Sequence, residues 1–78
     1  MIQSSEIREH MDVVGSDGAH VGRVDKVIGD EIELTKLDIA SGLKHHMIPL
    51  DWVEMIEADT VRLNMTKDAV KAGWRTKH

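Results

Sequence analysis

Apolar residues recur mostly at every second position, in short runs divided by turns rich in glycine and aspartate. That period belongs to strands with one buried face. Met11–Val14 reads as the first strand, and Gly15-Ser16-Asp17-Gly18 closes it as a tight turn, since Asp-Gly suits positive φ. His20–Ile28 carries Val21, Val24, Val27 and Ile28, and its alternation changes phase after Gly22. A glycine at a phase change predicts a bulge or sharp bend. Gly29-Asp30 is the second turn, and Glu31–Thr35 then alternates, with Ile32 and Leu34 inward and the acids toward water.

Leu37–Lys44 contains Ser41-Gly42 and reads as a loop. His45–Leu50 is the next strand, and Pro49, which donates no backbone hydrogen bond, marks an edge or an end. Trp52–Ile56 is a further short apolar segment, Asp59 turns the chain, and Thr60–Asn64 alternates again. Helical signals sit at the two ends. Ser4 and Ser5 precede acids and predict one helical turn. Thr66 is placed to cap a last helix, Lys67–Trp74, with Asp68 in its first turn and Val70 and Trp74 on one face. The expected fold is mainly β: a small antiparallel barrel or curled sheet of about five to six short strands with a short C-terminal helix.

Length changes this picture by bounding stability. A chain of 78 residues makes one domain, residues 1–78, and hides only ~60% of its extended surface on folding. Domains this small are usually held by disulfides, a metal or a partner subunit. There is no cysteine, so disulfides and thiolate metal sites are excluded, and a reducing, cytoplasmic setting is expected. No apolar run reaches the ~20 residues of a membrane span, so no membrane insertion is expected. With only two tryptophans and no Phe or Tyr, aliphatics and five methionines must build the core.

Net charge is −4, and of the basic residues only Lys67, Lys71, Arg75 and Lys77 gather. Nucleic-acid binders display a basic stripe and stacking rings, so none is expected here beyond weak, salt-sensitive association.

Two segments carry a family likeness. Val14-Gly15-Ser16-Asp17-Gly18-Ala19-His20-Val21-Gly22-Arg23-Val24-Asp25-Lys26-Val27 resembles the opening hairpin of PRC-barrel domains. Met47-Ile48-Pro49-Leu50-Asp51-Trp52-Val53, followed by Asp59-Thr60-Val61-Arg62-Leu63, is similar to the closing strands of that family. The likeness runs from about Met11 to Leu63 and looks like a small uncharacterised bacterial branch of the superfamily. It implies a β-barrel, a role in assembly, frequent pairing as dimers, and no catalytic residue, because the shared motifs are turn and core residues.

Candidate chemistry is sparse. A mononuclear zinc site needs three or four convergent ligands. His45 and His46 are neighbours on a strand and point to opposite faces, so no metal, cofactor or catalytic site is expected. The alternative is a metal- or small-ligand-binding protein using His20 with His45 or His46 and an acid such as Asp17 or Asp51. The acids Asp25, Asp30, Glu31, Glu33, Asp51, Glu54 and Glu57 read as a solvated strand face. The leading expectation is therefore a non-catalytic interaction module: a homodimer with an unidentified protein partner. Its candidate interface is Met47, Ile48, Trp52, Met55, Ile56, Val70 and Trp74, with Trp74 expected to fix the last helix on its own barrel or on a neighbour's.

Overall fold

In a computed structural model, which describes the backbone of residues 4–38 and 42–77 and the side chains of 5–35 and 45–75, strands dominate. A 3₁₀ turn at Ser4–Glu6 leads to β1 (Asp12–Val14), β2 (His20–Ile28), β3 (Glu31–Asp38) and β4 (Gly42–Pro49). A second 3₁₀ turn, Leu50–Trp52, leads to β5 (Val53–Glu57) and β6 (Thr60–Leu63). Helix α1 (Lys67–Gly73) and β7 (Arg75–Lys77) complete the chain. All seven strands join one sheet in the order β5-β6-β1-β2-β3-β4-β7.

The sheet is curled and open, with β5 and β7 at its two ends. Its pairs are antiparallel except β1 and β6, which run parallel, so the sheet is mixed. A parallel pair needs a crossover, and here the long β2-to-β5 excursion supplies it. The register shifts between Val13 and Val14, between Val24 and Lys26, and between Val53 and Met55. Each is a bulge of the kind that sharpens twist and bends a sheet around its core. Two of them fall in β2, at Val21 against β1 and at Asp25 against β3. The phase change after Gly22 therefore marked a real irregularity.

Turn chemistry explains the connections. Gly18 has φ +81° and Gly29 +59°, and the Asp17 carboxylate accepts from the Ala19 amide at 3.3 Å. Ala58 and Asp59 both take positive φ, 47° and 62°, giving the β5–β6 hairpin the primed geometry that matches strand twist. Gly15 answers a packing need instead. A Cβ there would come within 2.7 Å of the Lys67 amide nitrogen, where α1 begins. The helix starts where Thr66 predicts, its Oγ1 accepting from the Ala69 amide at 3.3 Å.

Three boundaries differ from the sequence reading. Leu37–Lys44 is not a loop: β3 and β4 pair out to Asp38 and Gly42, and the hairpin tip lies outside the described residues. The apolar-polar alternation of the sequence simply continues through Thr35-Lys36-Leu37-Asp38. Arg75–Lys77 forms a seventh strand on β4, and α1 ends one residue early, with Trp74 as its C-cap. Val13, Ile32, Leu34, Ile48, Val61, Leu63 and Val70 are fully buried and form the centre of the core, as an aliphatic composition requires.

Candidate functional site

The middle of β3 is buried on both faces. Ile32 and Leu34 point into the core, and Glu33 between them is only 2% exposed. The expectation that the β3 acids face water fails at this position. Register explains what surrounds it. Glu33 lies opposite Met47 and Thr35 opposite His45, so Glu33, Met47 and His45 share the sheet face away from Ile32 and Leu34. On the other side of β3, Val24 pairs with Leu34 and Lys26 with Glu33. Asp25 is the bulged residue between them, and as the neighbour of core-facing Val24 it lies toward the Glu33 face.

Three adjacent strands thus bring Asp25, Glu33 and His45 together, with one ligand-type atom from each within 4.8 Å of the others. The His45 Nδ1 is 3.4 Å from the Glu33 Oε2 and 3.8 Å from the Asp25 Oδ2. Neither contact has hydrogen-bond geometry, and Nδ1 is buried without a hydrogen-bond partner. Asp25 is 42% exposed and His45 36%, so the cluster opens to solvent on their side. On the same face Arg75 reaches back across β4 to pair with Glu31 through both carboxylate oxygens.

His46 takes the opposite face, as its neighbour's position demands, and is buried with its ring stacked on Trp74, centroids 3.7 Å apart. His20 belongs to another group. Its Nε2 and the Arg23 Nε both lie 3.3 Å from the same Asp12 oxygen. The hydrogen bond to His20, and after it the one from Arg23, hold the Asp12 carboxyl below its usual value. Among the described residues the cluster of three possible ligands is Asp25, Glu33 and His45, and it contains neither His20 nor His46. The pairing of His20 with either of the adjacent histidines is thus not what the fold assembles.

The interface candidates divide. Met47, Ile48 and Val70 are buried in the chain's own fold. Trp52 lies against the end of α1, where a Cβ on Gly73 would come 3.1 Å from its Cη2. Trp74 is partly buried, stacked on His46 and packed against the core. Met55 is 40% exposed, and Ile56 is half-buried beside it on β5. No helix of the described residues is long and apolar enough to cross a membrane.

The acids at Asp25 and Glu33 escaped the sequence reading because each alternates with apolar residues, as a wetted face does. The usable signal was the broken phase of β2 facing a strand with a carboxylate at its centre. Compared with known proteins, residues 7–71 match the model of an uncharacterized protein family conserved in bacteria, DUF2171. No curated protein and no solved structure matches the chain.

Proposed function

The chain belongs to the bacterial DUF2171 family, and for it we propose a non-catalytic role as an interaction module that pairs with a second copy of itself through the open edge of β5. The observation that carries the reading is that edge. Among the described residues β5 is hydrogen-bonded to β6 alone, and it exposes Met55 next to half-buried Ile56 and Trp52. An unpaired strand edge offers a row of N–H and C=O groups to another chain. Two-fold antiparallel pairing centred on Met55 sets Val53 against Glu57 and Glu54 against Ile56 of the second copy. No glutamate then faces a glutamate, whereas centring the pair on Glu54 or Glu57 sets two glutamates opposite each other.

Size supports the same reading. A cysteine-free chain of 78 residues gains from a partner what its small core lacks. The resemblance of Val14–Val27 and Met47–Leu63 to PRC-barrel domains also favours assembly over catalysis. The proposal includes a cytoplasmic setting, which suits a chain without cysteine, and a protein rather than a nucleic acid as further partner, which suits a net charge of −4. Sedimentation at tens of micromolar tests it. A dimer is expected, with Met55→Asp giving a folded monomer. A monomeric parent, or a dimer indifferent to Met55→Asp, would overturn the proposal.

A further inference from the structure

We propose that Asp25, Glu33 and His45 form a binding site for a divalent transition-metal ion, with Zn²⁺ the ion that fits best. The site lies on strands β2, β3 and β4 and is independent of the pairing edge at β5.

Distance is the first support. Four-coordinate zinc holds imidazole nitrogen and carboxylate oxygen at ~2.0–2.2 Å, which sets neighbouring ligand atoms ~3.3–3.6 Å apart. The His45 Nδ1 stands 3.4 Å from Glu33 and 3.8 Å from Asp25. The second support is the state of that nitrogen. It is buried, aimed between two carboxylates, and makes no hydrogen bond. A buried ring nitrogen in that condition is unfavourable, and donating its lone pair to a cation removes the penalty. Bound through Nδ1, the ring carries its proton on Nε2.

The donor set is one nitrogen and two carboxylates. Without thiolate, it suits zinc and similar first-row ions rather than copper(I) or an iron–sulfur cluster. Glu33 is locked by burial, whereas Asp25 and His45 keep open sides through which an ion enters. Three protein ligands leave one position of a tetrahedron for water. The register serves the geometry: Asp25 follows core-facing Val24 and so lies on the Glu33 face of β2, as His45 does on β4. The Asp12–His20 pair makes a suitable contrast, because the Arg23 guanidinium already occupies the same Asp12 oxygen.

The test uses tag-free protein stripped with a chelator. Zn²⁺ is titrated by calorimetry, and Co²⁺ is followed by its visible absorption. One ion per chain and a four-coordinate cobalt spectrum are expected. His45→Gln and Asp25→Asn, both at partly exposed positions, should retain the fold by circular dichroism and each weaken binding by at least about tenfold. His20→Gln should bind as the parent does. Failure to take up Zn²⁺ at submillimolar concentration, or uptake that survives both His45→Gln and Asp25→Asn, would overturn the site.

Discussion

Strands β3 and β6 read almost alike, yet only one has a dry second face. Glu31-Ile32-Glu33-Leu34-Thr35 and Thr60-Val61-Arg62-Leu63 both alternate apolar with polar residues. In β6 the pattern translates directly: Val61 and Leu63 are fully buried and Arg62 is exposed. In β3 the apolar pair is buried, and so is the glutamate between them. The difference is position. β6 lies beside the edge strand β5, while β3 lies between the long strands β2 and β4, and His45 and Met47 of β4 stand on the Glu33 face. Alternation identifies the core face of a strand. It carries no information about whether the opposite face meets water.

The largest expected effects test the half of the comparison in which the strands agree. Leu34→Ala and Leu63→Ala each remove a fully buried side chain from one shared core. Each should lower unfolding free energy by about 2–5 kcal/mol in urea titration. A cost near zero for either would remove that strand from the core. The next test separates the strands. Glu33→Gln changes a buried carboxylate beside His45 and should destabilise by about 1–3 kcal/mol. Arg62→Gln loses only an exposed hydrogen bond to the Ser16 carbonyl and should stay within about 0.5 kcal/mol. Equal effects would mean that the outer face of β3 is as wet as that of β6.

The same contrast marks what the sequence disclosed. Turns at Asp17-Gly18 and Gly29-Asp30, the Thr66 cap, the end of β4 at Pro49 and the core face of β3 and β6 were legible, because each follows from local backbone preference or period. The extension of β3 and β4 to Asp38 and Gly42 was hidden by the loop signal of Ser41-Gly42 in the sequence. The parallel β1–β6 pair was hidden because both strands are short and their pairing is non-local. The Asp25–Glu33–His45 cluster needed the register of three strands, and no single segment encodes that. The stacking of Trp74 on His46 was not legible, because it depends on β7 pairing with β4, which sets His46 opposite Thr76.

A smaller effect belongs to the hairpin that feeds β6. Ala58 holds φ +47°, a region where a Cβ is unfavourable. Glycine there relieves the strain but gains freedom in the unfolded chain, which offsets part of the benefit. Ala58→Gly should therefore stabilise by roughly 0.5–1 kcal/mol, read as a higher urea midpoint at unchanged slope. A lower midpoint would show that this turn carries no strain, and that β6 owes its regular pattern to something other than a forced primed turn.

The smallest effect sits on β1, which lies between β6 and β2 and joins the two regions. Asp12 pairs on β1 with His20 and Arg23 from β2, and its carboxyl is held below the usual aspartate value, by the hydrogen bond to His20 first and by Arg23 second. A folded-state value below the unfolded one means that the unfolded chain binds the proton more readily. The contribution to stability is then complete above the unfolded aspartate value. It fades as pH falls through the lowered folded value, so the gap between the parent and Asp12→Asn should close over that acidic window. Because the pair is exposed, the gap is small at any pH, and carbon-13 detection of the Asp12 carboxyl is the better measurement. Its midpoint should lie below that of aspartate in an unstructured peptide, and His20→Gln should raise it more than Arg23→Gln does. A midpoint that moves with Arg23 alone would assign the shift to the guanidinium and leave His20 a bystander at the β1–β2 seam.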